Sequence, residues 1–336
     1  MPAKMKEPTS DYTRASDGDY RRDQETGESP LKDSQHGAHV GEVSGEVFVM
    51  DVYEFRQDYG YLSIFVSSVQ TIILLVMAWQ CGLAPLNVNP MVGPYMDALS
   101  YWGATNSVLI IEDGESWRLL SPVLLHAGIL HLFGNVAVQI ETGAFFEREW
   151  GSFVWLLVYV SSGIGGSLLS TIMFPSTISV GSSGAVMGLF GAKLSEVLCR
   201  ACEGRSSGDT LQERVGAIVR KEQGVGTLFS VGLVMAFSFI PYVDWAAHLG
   251  GLLAGMSVGM LIFSLYVRSI VFKLLWFLMG MACTVSYFVK TTNYLYGSVE
   301  PEEMLRDVCE YYQEFDPDYE CSCQKDNLNW GYRTGQ

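Results

Sequence analysis

The sequence predicts an all-α polytopic membrane protein, and two observations carry that prediction. Of 336 residues, 49% are hydrophobic and only 17% are charged. Both values depart from soluble averages in the direction of a membrane protein. Seven apolar segments also follow one another through the middle of the chain, each near the ~20 residues that cross a hydrocarbon core. They lie at roughly 61–82, 120–142, 151–173, 183–202, 224–241, 245–267 and 269–289. A soluble core helix would explain any one of them, but seven in one chain argue against that explanation for the set.

The ends of the chain differ from its middle. The formal charge of −15 is concentrated in residues 1–58 and 291–336, and the middle of the chain is nearly neutral. Residues 1–58 are poor in hydrophobic residues and rich in Ser, Gly, Asp and Glu, so they are expected to form a disordered cytosolic tail. The N-terminus has no apolar core for a signal peptide, and its acids argue against a mitochondrial transit peptide. Residues 59–289 form the membrane domain, and 290–336 an acidic, cysteine-containing, non-cytosolic tail. No strong basic patch is present, which argues against a nucleic-acid partner.

The segments are not equivalent. The first and third are plain apolar runs. The second is the least hydrophobic, because it carries His126, His131, Asn135, Gln139 and Glu141. The fourth opens at Gly181-Ser182-Ser183-Gly184, and the fifth is short and interrupted by glycine. The sixth carries His248 in His248-Leu249-Gly250-Gly251-Leu252-Leu253-Ala254-Gly255. Lys and Arg near the span ends set the direction. Arg148, then Arg200, Arg205, Arg214, Arg220 and Lys221, then Arg268 and Lys273 fall on one side, against Arg118 on the other. The N-terminus is therefore expected in the cytosol and the C-terminal tail outside it. Ser183 and His248 then share a depth near the non-cytosolic surface, although that depth played no part in the charge count.

Seven cysteines are present. Cys81, Cys199, Cys202 and Cys283 fall in or beside spans, while Cys309, Cys321 and Cys323 fall in the tail, where disulfides persist. At least one tail disulfide is expected, from Cys309, because Cys321 and Cys323 are too close in sequence to bridge comfortably. One further cysteine and no tail histidine make a poor metal site.

Reactive groups inside membrane segments are costly and point to function. A serine with a histidine is the minimum for nucleophilic acyl transfer, the histidine taking the hydroxyl proton. His248, Gly251 and Gly255 share one helix face, and Gly184, Gly188 and Gly191 form a second small-residue stripe. Such stripes let helices approach closely in lipid. Ordinary membrane packing explains the glycines but not a histidine on the stripe. His131 and Asn135, four residues apart, share a face and can donate hydrogen bonds to a developing oxyanion beside the Ser183 N–H. Helix-to-helix polar contact is the simpler role for them. His126 lies five residues before His131 and would point away on a continuous helix, which suits a structural or water-holding loop residue. Asp244, four residues before His248, reads as a solvated or N-capping aspartate in preference to a triad acid.

These motifs together resemble the rhomboid family of intramembrane serine proteases. The matching elements are Trp117-Arg118, His126…His131…Asn135, Gly181-Ser182-Ser183-Gly184 and His248-x-x-Gly251-x-x-x-Gly255, over roughly 105–265. The resemblance implies a six-helix bundle, and the extra C-terminal span resembles the eukaryotic secretase type. It implies Ser183 as nucleophile, His248 as base, and His131 and Asn135 as oxyanion donors. It makes Arg118, beside Trp117, the residue that holds the first luminal loop, Glu147 a structural acid, and span five with loop 241–245 a side gate. The position four after the serine, often aromatic in the family, is Met187 here, with Phe190 no obvious replacement. The implied partners are single-span membrane proteins cleaved near the luminal end of their helices, and the lipid bilayer, with no cofactor or metal. The implied location is the plasma membrane or secretory pathway, not the mitochondrion. A catalytically inactive, client-binding relative is the alternative, and a transporter is weaker still because no inverted repeat is visible.

Overall fold

The computed structural model describes residues 38–43, 46–51, 55–201, 211–240, 243–321 and 323. The chain divides into two units, residues 1–53 and 54–336. In the first, β1 (Ala38–Val43) and β2 (Glu46–Asp51) pair antiparallel, Val43 opposite Glu46 and Ala38 opposite Asp51. The sequence reading assigned all of 1–58 to a disordered tail. Residues 1–37 lie outside the described residues, and 38–51 hold this hairpin instead. Its signal in the sequence is a pair of short valine-containing runs.

Among the described residues the second unit is all helical. α1 (Tyr61–Cys81) is followed by the short helices α2 (Met96–Trp102) and α3 (Ser107–Ile111) and by 3₁₀ turns at Ser116–Leu119 and Ser121–Leu124. α4 (Ile129–Val138) continues through a π turn, Gln139–Gly143, into α5 (Ala144–Trp150). α6 (Ser152–Met173), α7 (Ser183–Ala201), α8 (Leu211–Phe237), α9 (Trp245–Ser264) and α10 (Ile270–Ser298) complete the bundle, and α11 (Val308–Phe315) lies in the tail.

Among the described residues five helices are long and apolar enough to cross a membrane: α1, α4–α5 from Ile129 to Trp150, α6, α9 and α10. The protein is thus a multi-pass membrane protein. α7 and α8 stand at the expected fourth and fifth positions, but they fall short of that standard because they carry charges. Lys193, Glu196 and Arg200 lie in α7, and Glu213, Arg214, Arg220, Lys221 and Glu222 in α8. The charges of α7 are matched inside the protein. Lys193, 1% exposed, pairs with Glu149 at 2.6 Å and Glu196 at 2.9 Å. Glu196 also holds Arg200 at 2.9 Å and accepts from the Trp150 indole N–H at 2.9 Å. Buried charges persist only when matched in this way. Boundaries also moved. The second span starts at Ile129, because Gly128 and the 3₁₀ turns hold 120–128 out of the helix, while α8 begins before 224 and α10 runs on to Ser298.

Glu147 shows why α1 starts where it does. It is fully buried, and its two oxygens accept from Leu62 N and Ser63 N, each at 2.8 Å. A carboxylate on the free N–H groups of a helix N-terminus is favourable twice, as acceptor and as charge against the helix dipole. α7 is packed between α6 and α9. A Cβ on Gly251 would collide with the Gly184 carbonyl, and one on Gly255 with Gly188. The two glycine stripes therefore meet as the sequence predicts.

The C-terminal tail docks on the loop between α1 and α4. Cys323 is bonded to Cys81 at the end of α1, and Cys309 to Cys321 within the tail. The tail bridge from Cys309 follows expectation; Cys81 as the partner of the odd cysteine does not, since 242 residues separate the pair. Asp97 accepts from the Tyr319 hydroxyl at 3.0 Å and from Cys323 N at 2.8 Å. Burial and that carboxylate push the Tyr319 phenol up, so it stays a donor. Asn106 donates to the Leu305 carbonyl at 2.8 Å, and Arg306 pairs with Asp113 at 2.9 Å.

Two outcomes are expected. Gly255→Val should destabilise the protein by about 3 kcal/mol or more, because backbone lies where the side chain must go, and a thermal melt in detergent measures this. Non-reducing peptide mapping should recover the Cys81–Cys323 and Cys309–Cys321 links, and Cys309–Cys323 in their place would contradict the fold of the tail.

Candidate active site

Ser183 is the first residue of α7, and the loop before it is fixed from two sides. Gly181 N donates to the Pro122 carbonyl at 2.9 Å. Gly181 has φ +129°, a region that glycine alone enters readily, and a Cβ there would meet the His131 ring, 2.8 Å from Cε1 and 3.0 Å from Nε2. Only glycine lets His131 close over this turn. On the other side a Cβ on Gly184 would lie 3.0 Å from the Ala247 carbonyl, and one on Gly166 of α6 would lie 2.8 Å from the same oxygen. Ala247 directly precedes His248. α4, α6, α7 and α9 thus converge on the Ser183 turn.

His248 is buried. Its Nδ1 lies 2.5 Å from the hydroxyl of Ser238, just beyond α8, so the ring nitrogen available to a nucleophile is Nε2. Among the described residues Ser183 Oγ is not itself hydrogen-bonded to His248, a looseness common in substrate-free sites. Ser238 was missed by sequence reasoning, because nothing local marks a serine ten residues upstream, just past the end of α8.

His131 Nδ1 accepts from Ala127 N at 3.4 Å. A backbone N–H can only donate, so the ring hydrogen of neutral His131 sits on Nε2, the nitrogen facing Gly181. Asn135 uses one N–H on the His131 carbonyl at 2.9 Å, and its Oδ1 accepts from Ser182 at 3.3 Å. Its amide keeps a second N–H. Ser182 is fully buried and also lies 3.5 Å from His126 Nε2, so it faces α4 and is committed to structure. His126 corrects the helical-phase argument. The helix begins at Ile129, so His126 is a loop residue, and it does not point away: its ring meets that of His131 at 5.2 Å, edge to face.

The other residues singled out in the sequence lie in the first loop and in the helix core. Arg118 is buried, donates to the carbonyls of Ser100 at 2.6 Å and Ala104 at 3.2 Å, and lies over the Trp117 ring at 4.6 Å. It therefore ties the first loop to itself. Trp117 is half exposed. Met187, 1% exposed, packs in the main core with Val123, Phe146 and Phe190.

Asp244 behaves as an N-cap. Its Oδ1 accepts from Ala247 N at 2.9 Å, and its Oδ2 from Ser179 at 2.7 Å and Ser170 at 2.5 Å. The His248 Nδ1 that a triad acid would meet is hydrogen-bonded to Ser238 instead. Asp244→Ala should therefore cost about 1 kcal/mol of stability, the worth of a cap. Any activity assigned to Ser183 should survive in that variant to within roughly tenfold, far from the total loss a triad acid would give.

Residues 113–265 match the family model described as the Rhomboid domain. Over 178 residues, 53% of this chain and 54% of the relative, the sequence is 36% identical to "RHOMBOID-like protein 6, mitochondrial" of Arabidopsis thaliana. It is 35% identical over 169 residues, 50% and 54%, to "Rhomboid-like protease 1" of Toxoplasma gondii. It is 30% identical over 169 residues, 50% and 44%, to "Inactive RHOMBOID-like protein 8" of Arabidopsis thaliana. The chain spans about half the length of the curated relatives it matches. The matched segment contains Ser183, His248, His131 and Asn135, and over this stretch the chain is similar to the rhomboid family.

Proposed function

We propose that the chain is an intramembrane serine endopeptidase that cleaves single-span membrane proteins in or near their transmembrane helices. The observation that carries this reading is the Ser183 turn, closed on one side by His131 Nε2 and on the other by the Ala247-His248 segment. Ser183 Oγ attacks the scissile carbonyl carbon while His248 Nε2 takes its proton. The carbonyl oxygen becomes an oxyanion, held by the Ser183 N–H, His131 Nε2–H and the free Asn135 N–H. Collapse breaks the C–N bond, His248 returns the proton to the leaving amine, and water then hydrolyses the acyl-enzyme by the same base. Substrate helices with weak helix formers near the cut would be favoured, because the bond must be unwound before attack.

For entry we favour the side between α4–α5 and α8. The cavity of about 190 Å³ between these helices is lined by Lys193 and Gln223 among others, at the charged end of α7 and away from Ser183, so it is not itself the entry. We assign the Ser183 end to the non-cytosolic side on the Lys/Arg distribution. The two disulfides at that end favour an oxidising compartment, hence the cell surface or secretory pathway. One matched relative carries "mitochondrial" in its name, which is said of that protein alone. The second reading is an inactive client-binding protein, favoured by the missing Ser183–His248 hydrogen bond and by the inactive relative.

Fluorophosphonate labelling separates the two readings, since only an activated serine reacts. Wild type should label at Ser183. Ser183→Ala and His248→Ala should each abolish cleavage of co-expressed single-span proteins without unfolding the enzyme, and the double variant should be no worse than either. Asn135→Ala should lower turnover on the order of a hundredfold. Unlabelled, folded wild type would favour the inactive reading.

A further inference from the structure

We infer that Ser238 is a positioning residue that holds His248 in the tautomer with hydrogen on Nδ1, leaving the Nε2 lone pair for the Ser183 proton. The argument is a count of hydrogens. Ser238 has one hydroxyl hydrogen, and its oxygen has two neighbours. One is the Val234 carbonyl at 2.6 Å, which can only accept. The other is His248 Nδ1 at 2.5 Å. If the hydroxyl hydrogen goes to Val234, Ser238 Oγ can only accept from the ring, so Nδ1 must carry the hydrogen. The opposite tautomer would leave the Val234 carbonyl without the hydroxyl and remove the lone pair from Nε2, where a general base needs it.

The surroundings support that assignment. Ser238 is 1% exposed, so water does not readily replace it. Its backbone N–H is bonded to Val234 O at 2.9 Å, which fixes the Cα from which the hydroxyl projects. The nearby carboxylate, Asp244, has both oxygens committed to Ala247 N, Ser170 and Ser179. A neutral hydroxyl thus takes the position that a carboxylate takes in a Ser-His-Asp triad. It sets tautomer and ring orientation without adding charge. Ser238 also ties the end of α8 to α9, so the same bond that prepares the base fastens the helix beside the proposed substrate entry.

This inference rests on the protease reading, and the experiment separates the two. Ser238→Ala and Ser238→Thr are compared with wild type, Ser183→Ala and His248→Ala. The measurements are kcat, KM, the fluorophosphonate labelling rate and the thermal midpoint. The tautomer of His248 is read independently by ¹⁵N NMR of histidine-labelled protein, the His248 signal being assigned with His248→Gln. In Ser238→Ala, kcat and labelling rate should fall together by about tenfold at unchanged KM. The His248 signal should lose its Nδ1–H character, and Ser238→Thr should restore all three. A wild-type kcat in Ser238→Ala, a loss that threonine does not restore, or an unaltered tautomer overturns the inference. If Ser183→Ala still cleaves, the protease reading fails, while the tautomer measurement still decides the role of Ser238.

Discussion

The contact between α7 and α9 is the constraint from which the rest of the site follows. In lipid no hydrophobic force draws helices together, so association depends on how closely their backbones fit. Here Gly184 lies against Gly251 and Gly188 against Gly255, with backbone atoms where any side chain would have to go. Ser183 is one residue from the first of these contacts, and His248 is three residues, almost one turn, before Gly251. Once the glycines meet, the serine and the histidine are brought to one depth, whatever the remaining apolar residues are. The same approach brings Ala247 against Gly166 of α6, so a third helix is fixed by the same event.

Around that contact the polar side chains form a continuous frame. The tail is bonded to the first loop through Asn106, and Glu302 N donates to Ser107 Oγ at 3.1 Å. Ser107 donates in turn to the Pro175 carbonyl at 2.6 Å, and Thr105 and Ser179 exchange bonds at 3.1 and 2.8 Å. Ser179 then reaches Asp244, which caps the helix of His248. Each link is a modest hydrogen bond. Together they connect the disulfide-fastened tail to the start of α9 without touching Ser183 or His248.

Toward the other end of α7 the problem is charge. Lys193, Glu149, Glu196 and Arg200 are joined in one ion-pair cluster that also takes the Trp150 N–H. Removing one partner would leave a buried charge unmatched, which is costly, whereas the complete set is tolerated. The cluster explains how a helix with three charged residues can stand in the middle of a membrane bundle, and why apolarity alone does not mark it as a span.

The sequence by itself determined that the membrane unit is built of apolar helices, and it marked the glycine stripes on two of them. These are local properties: apolar length, helical spacing and residue chemistry. It also separated Asp244 as a cap, since that role depends on position at a helix start. Only the tertiary structure decided what depends on distant partners. His126 faces His131 because Gly128 delays the helix, a matter of packing against Met91 and Val92. Cys81 and Cys323 are joined across 242 residues by the return of the chain to the same end of the bundle. Ser238 reaches His248 because the chain folds back between α8 and α9, and Glu147 reaches the start of α1 because helices far apart in sequence are neighbours in space. Periodicity records which face of a helix is polar, but only the assembled bundle determines what that face meets.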